Sequence, residues 1–203
     1  WHRIIDLVQQ AGIEIAPWAV KRDGSPVKDP PKNPKYCYNW AFGGEGEPTV
    51  LCIWHSTMRL LDGQIVFVGN LRAYAMALER ATESRLRSKK ERDRARRQAK
   101  RAQDFDRKLQ RAFRRGETVR VVSLLGEQGD DGEPGVGASN AELRYLDPVP
   151  WTVASYLDDG HFRLIRGASD AEAPEATVLF PSTPLFVDQF SLPIAPQGQI
   201  DRK

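Results

Sequence analysis

Residues 71–116 read LRAYAMALERATESRLRSKKERDRARRQAKRAQDFDRKLQRAFRRG, and the segment holds no proline and no glycine before Gly116. It consists mostly of Ala, Leu, Arg, Lys, Glu and Gln, the residues that favour the α-helix. Its apolar residues recur at helical spacing in two stripes, Leu71, Ala75, Leu78, Thr82 and Leu86, then Ala95, Ala99, Ala102, Leu109 and Phe113. The sequence therefore predicts one long helix over residues 70–116 that divides the chain into two lobes.

The same segment carries the positive charge of the chain. Residues 71–115 hold 17 Lys and Arg against six Asp and Glu, a formal charge of +11, whereas the whole 203-residue chain carries +3 and the remainder therefore −8. A Lys or Arg near a nucleic-acid phosphate releases counterions and adds salt-sensitive affinity. We expect this helix to bind nucleic acid, with DNA favoured. The candidate phosphate-binding residues are Arg92, Arg94, Arg96, Arg97, Lys100 and Arg101.

Another interpretation makes the helix a solvated strut. The protein is then an interaction or assembly scaffold in which the helix spaces two lobes and docks an acidic partner. A second copy of the helix is a further candidate partner, although the Ala-rich stripe lacks the sustained large residues of a coiled coil. The sequence leaves open a homodimer and an additional nuclease domain.

The first lobe, residues 1–69, is expected to contain an aromatic strand. A short helix over residues 2–11 and a proline-rich loop over residues 21–34 precede two strands, 36–42 and 49–55, and a third follows at 64–68. Because side chains alternate along a strand, Tyr36, Tyr38, Trp40 and Phe42 share one face. The expected base or ligand pocket consists of Tyr36, Tyr38, Trp40, Trp54 and His55.

That aromatic face admits three interpretations. It is the core of the first lobe, a platform that stacks an unpaired or flipped base, or a cage for a methylated cation.

The second lobe, residues 117–203, is predicted to be a small antiparallel sheet or a partly open barrel. Apolar runs predict strands at 117–125, 142–146, 151–157 and 161–166, with two short strands at 177–180 and 185–187. Asp158-Asp159-Gly160 predicts a tight hairpin turn. The expected fold class is α+β, with two small antiparallel β lobes joined by one long basic helix.

The composition is that of a soluble protein, with 40% hydrophobic and 28% charged residues. No apolar run approaches the roughly 20 residues that span a bilayer, and no secretory leader follows Trp1. Only Cys37 and Cys52 are present, which fits a reducing cytoplasm. The chain is expected to be part of a longer protein.

The sequence contains no recognisable catalytic motif. Phosphate-binding glycine loops, nucleophile triads and paired acids followed by Glu-x-Lys are all absent. The sequence therefore predicts a binding protein without metal or cofactor. An enzyme with an unfamiliar site around Cys52, His55 and Asp62 is a third hypothesis, after DNA binding and the scaffold.

One part of the chain resembles a known family. The run LDPVPWTVASY at 146–156, continued by HFRLIRG at 161–167 and VDQF at 187–190, is similar to the region ahead of the nuclease domain in some bacterial HNH-type, restriction-like endonucleases. The resemblance implies a DNA-targeting, modification-sensing part that precedes a metal-dependent nuclease. The His-Asn-His metal site of that family is absent from this sequence, so the resemblance implies its non-catalytic part.

Overall fold

One mixed β-sheet organises the residues that the computed structural model describes, 2–129 and 134–167. Its strands run in the spatial order β1-β2-β5-β7-β8-β4-β3, and β6 also pairs with β5. Their bounds are Ala41–Phe42 (β1), Thr49–Trp54 (β2), Arg59–Leu61 (β3), Gln64–Asn70 (β4), Val119–Glu127 (β5), Asn140–Leu146 (β6), Trp151–Tyr156 (β7) and His161–Arg166 (β8). The helices are Ile4–Gln10 (α1), Leu71–Glu83 (α2) and Lys89–Arg115 (α3).

The expected division into two lobes is wrong for these strands. β2 pairs in parallel with β5, from Thr49 opposite Val119 to Trp54 opposite Leu124, and β4 pairs antiparallel with β8. Strands from both sides of the helical segment therefore share one sheet. Both β2 and β5 read as nearly continuous apolar runs because their central residues are buried on both faces.

The expected single helix is two helices, because the chain turns between Glu83 and Lys89. Ser84 is extended at ψ 120°, and Ser88 begins α3 with a capping box in which Ser88 and Glu91 satisfy each other's backbone amides. Arg72 of α2 lies 3.7 Å from Asp106 of α3, while Gln103 bonds Glu79 nearer the turn, so the helices run antiparallel. Leu86, assigned to the first stripe, lies in the turn and is exposed.

The two faces of the sheet carry separate cores. Helices α2 and α3 cover one face through Leu78, Phe105 and Leu109. Helix α1 and the segment after it cover the other face, where Val8 and Trp18 pack with side chains of β2 and β5. Leu51 and Ile53 belong to the first core and Val50 and Cys52 to the second, as strand alternation requires.

The expected aromatic strand 36–42 is mostly a turn, and only Ala41 and Phe42 form a strand. Buried Asn33 fixes the preceding loop by donating Nδ2 to the carbonyl of Trp18 at 2.9 Å and to that of Val20 at 3.3 Å. The single shared face expected for Tyr36, Tyr38 and Trp40 is therefore wrong.

Both expected hairpins are present. β1 pairs with β2 around residues 43–48, and β7 pairs with β8 around Asp158-Asp159-Gly160. Gly160 adopts a φ of +94°, which suits glycine. The strands expected at 177–180 and 185–187, and the VDQF run at 187–190, lie outside the described residues. Within the described ranges, no helix combines the length and apolar character needed to cross a membrane.

Candidate functional site

A cavity of about 750 Å³ lies where β2 and β5 end, beside the first half of α3. Its walls also include the turn before β1 and the start of β6. We call this cavity the basic pocket. The lining side chains that give it its chemistry are Tyr38, Trp40, Trp54, Arg94, Arg97, Gln98, Arg101 and Arg144.

One face of α3 supplies the cations. Arg94, Arg97 and Arg101 are three and four residues apart, which places them on one side of the helix. Arg144 of β6 adds a fourth guanidinium. Among the residues that the structure describes, no carboxylate forms an ion pair with Arg94, Arg97 or Arg101. Within the described part of the chain, the pocket walls therefore carry positive charge that no carboxylate neutralises.

Arg101 is half-buried among these cations. Its guanidinium lies 5.5 Å from the centre of the Tyr38 ring. Burial of Arg101, followed by repulsion from the charge of Arg97, lowers the pKa of the Arg101 guanidinium from its ordinary value. A cation in this position is stabilised by a bound anion. The same charges oppose a methylated cation, one of the ligands expected for an aromatic cage.

The aromatic wall comes from two places in the chain. Trp40 is half-buried and stacks on Tyr74 of α2 with 6.3 Å between ring centres. Trp54 is half-buried at the end of β2, and Tyr38 keeps 61% of its surface exposed. The pocket thus has one fixed indole, one indole at a strand end and one exposed phenol.

Tyr36 and His55 lie outside this pocket. Tyr36 stacks on Trp18 at 5.1 Å and belongs to the core beneath α1. His55 begins a short 3-10 turn, is exposed, and lines a separate cavity of about 460 Å³ with Arg59, Tyr145 and Arg166. The structure therefore brings together three of the five expected pocket residues.

The six candidate phosphate-binding residues divide by helical face. Arg94, Arg97 and Arg101 line the pocket. Arg92 instead donates to the carbonyl of Arg87, Arg96 pairs with Asp93 at 3.1 Å, and Lys100 is exposed. Arg94 also donates Nη1 to the carbonyl of Val136, which ties its guanidinium to the segment before β6. Of the six, only Arg96 pairs with a carboxylate among the described residues.

The hypothetical enzyme site does not assemble. Cys52 is buried beside the basic pocket, and burial raises the pKa of its thiol to about 12. His55 faces the other cavity, and Asp62 lies in the turn between β3 and β4 at φ 51°. Nowhere in residues 2–129 and 134–167 do three or more His, Cys, Asp or Glu side chains cluster as metal ligands.

A third cavity, of about 120 Å³, adjoins the basic pocket and shares Trp40, Trp54 and Gln98 with it. We call it the inner cavity. Buried aromatic residues of the sheet and the two helices complete its wall: Phe67, Tyr74 and Phe105. Gln98, at the junction, is 7% exposed, and its Oε1 has no hydrogen-bond partner among the described residues.

Two residues of the pocket were not predicted from the sequence. Gln98 carries a local signal, because it is a polar residue in the apolar stripe of Ala95, Ala99 and Ala102. Arg144 carries none, since it reaches the pocket only through the pairing of β6 with β5. Comparisons of the chain with protein-family models, curated proteins and solved structures find no match.

Proposed function

We propose that the protein binds nucleic acid, with DNA the favoured form. In this proposal Arg94, Arg97 and Arg101 hold phosphates at the mouth of the basic pocket. An unpaired or flipped base enters between the aromatic side chains. Phosphate contacts position the strand, while the pocket selects the base.

The observation that carries the proposal is the meeting of two chemistries in one cavity. Three arginines without carboxylate partners in the described structure face Tyr38, Trp40 and Trp54. A nucleotide is both anionic and aromatic, so it satisfies both walls. Stacking on an aromatic side chain contributes about 1–3 kcal/mol per base. An exposed ion pair with an acidic protein contributes about 0–1 kcal/mol, which favours the nucleotide.

The resemblance to endonuclease targeting regions supplies a biological context. On that basis the protein is the modified-base-sensing, non-catalytic part of a restriction or defence system and acts in the cytoplasm. A nuclease domain in the same or another chain would then cut the DNA. The scaffold hypothesis loses its helical spacer, because α2 and α3 pack against one sheet rather than between two lobes.

Fluorescence anisotropy with labelled oligonucleotides tests the proposal. We expect binding to single strands, and to duplexes with a mismatched or modified base, to weaken steeply as salt rises. Replacing Arg94, Arg97 and Arg101 by Glu should lower affinity at least 100-fold. The matched control replaces three arginines in the last three turns of α3 by Glu. These are Arg107, Arg114 and Arg115, and this variant should retain most of the affinity for the oligonucleotides.

Two results would contradict the proposal. The first is no binding to any oligonucleotide at low salt. The second is an equal loss of oligonucleotide affinity in both triple variants, which would locate binding along the whole helix rather than at the pocket. Light scattering of the nucleic-acid-free protein checks the scaffold alternative, which predicts a stable oligomer or heteromer that is insensitive to nucleic acid.

A further inference from the structure

Gln98 occupies a position where a polar side chain weakens the fold. Its neighbours on the same face of α3 are Ala95, Ala99 and Ala102, all buried. Its Oε1 is buried and, among the described residues, accepts no hydrogen bond. A buried acceptor left unsatisfied is unfavourable, and an apolar side chain of the same length avoids this cost. Stability alone therefore does not account for the amide.

The surroundings of Gln98 indicate what kind of ligand group could donate a hydrogen bond to its Oε1. The side chain lies between the basic pocket and the inner cavity, and the aromatic residues Trp40, Trp54, Phe67 and Phe105 line the inner cavity. A ligand that fills this space must be planar and apolar on its faces. It must also present a hydrogen-bond donor at its edge, because the buried, unsatisfied atom of Gln98, Oε1, is an acceptor.

We propose that Gln98 recognises the amino-bearing edge of a nucleobase, that of adenine or cytosine, held in the inner cavity. The amide oxygen accepts from the exocyclic amino group. The amide nitrogen is free to donate to the adjacent ring nitrogen, the pairing that Gln makes with adenine in DNA complexes. The inference rests on the proposed function and adds to it the class of base that the pocket selects.

Deaminated bases test this assignment, because deamination replaces the amino group, a donor, by a carbonyl oxygen, an acceptor. Oligonucleotides carry one unpaired adenine or its deaminated form hypoxanthine, and one unpaired cytosine or its deaminated form uracil, in the same sequence. We expect the protein to bind the amino-bearing member of at least one pair about tenfold more tightly. In Gln98→Met, that difference should fall to less than twofold, while the salt dependence of binding is unchanged.

Gln103→Met is the matched control, because Gln103 lies on the same helix but bonds Glu79 outside the pocket. This variant should keep the tenfold preference. Gln98→Met should also raise the melting temperature, since it removes an unsatisfied buried acceptor, and this result shows that the variant is folded. A lower melting temperature for Gln98→Met would instead show that Gln98 stabilises the fold. A loss of base preference in that variant would then come from unfolding, and the assignment would be overturned.

The results separate the two proposals. Equal, salt-sensitive binding of both members of each pair by the unaltered protein leaves nucleic-acid binding in place and overturns the role of Gln98. A preference that survives in Gln98→Met also overturns it. Absence of salt-sensitive binding to every oligonucleotide overturns both.

Discussion

At the scale of one residue, Asp147 explains why the run LDPVPW at 146–151 combines an acidic residue with a tryptophan. Its carboxylate is 4% exposed and accepts hydrogen bonds from Trp151 Nε1 at 2.8 Å and from Arg166 Nε and Nη2 at 2.7 and 2.9 Å. The Val149 amide donates to it at 3.0 Å. The two prolines of the run bend the chain between β6 and β7, and Asp147 ties that bend to β7 and β8.

The protonation of Asp147 should make stability depend on pH. Burial alone raises the pKa of this carboxyl, but hydrogen bonds from Arg166, Trp151 and the Val149 amide outweigh burial and lower it. A carboxyl with a depressed folded pKa stabilises the protein above the unfolded pKa of about 3.9. This stabilisation is lost as the pH falls through the folded pKa.

Asp147→Asn should therefore lower the free energy of unfolding by about 2 kcal/mol at pH 7. The cost lies below that of breaking a fully buried pair, because the Arg166 side chain is 32% exposed. Urea denaturation at pH 7 and pH 3 measures the effect. The difference from the unaltered protein should shrink at pH 3, and an equal loss at both values would contradict this role. Asp29→Asn, at an exposed pair with Lys32, is the control.

At the scale of elements, one network joins α2, α3 and β7. The Tyr156 hydroxyl donates to Asp106 Oδ1 at 2.6 Å and accepts from Arg72 Nη2 at 2.9 Å. Burial and the bond to Asp106 raise the pKa of Tyr156 to about 12, so the phenol remains protonated at neutral pH. This network orients α3 against the sheet and so helps to position its arginine face.

Tyr156→Phe should lower the free energy of unfolding by about 1–2 kcal/mol, because both partners of the hydroxyl lose a bond. Thermal unfolding measured by circular dichroism checks the value. Tyr145→Phe on β6 is the control, since its hydroxyl makes no hydrogen bond within the described ranges. Equal melting temperatures for Tyr156→Phe and the unaltered protein would show that the network does not stabilise the helix position.

Local sequence patterns predict the positions of the strands but not which strands pair. Apolar runs and apolar alternation locate β2, β4, β7 and β8 to within two residues, because the residues of a strand themselves show which of its faces are buried. The pairing of β2 with β5 joins residues about 70 positions apart, and nothing in either run encodes the partner. The sequence signal for the break before α3 is the capping-box pattern Ser88-x-x-Glu91. Residues 84–88 have enough helix propensity that this signal alone does not decide against one continuous helix.

The candidate site likewise has features that the local sequence predicts and features that depend on the tertiary fold. Clustered charge on α3 and aromatic residues near β1 and β2 could be identified locally. Their meeting in one cavity depends on the turn that folds α2 back along α3. Arg144 enters only through the sheet. Strand alternation does not place Tyr36 correctly, because the Asn33 carbonyl accepts from the amides of Tyr36 and Cys37 and so holds this segment as a turn.

At the scale of the whole molecule, the shared sheet predicts cooperative unfolding of the described residues. Two lobes joined by a helix would unfold in separate steps. One sheet whose central strands come from both sides of the helical segment cannot lose one side and keep the other's core. Leu51 of β2 and Val121 of β5, both fully buried and paired in register, lie at this junction.

Leu51→Ala should therefore lower the stability of the entire described fold, by about 3 kcal/mol from the lost burial and the cavity created. The chain holds five tryptophans, so tryptophan fluorescence is measured on variants that keep only Trp18, before the helices, or only Trp151, after them, with the other four replaced by Phe. With far-ultraviolet circular dichroism as a third probe, all denaturation curves should coincide and shift together. If Trp151 kept its original midpoint while Trp18 shifted, the two sides would be unfolding independently, and the single sheet would not be the unit of stability.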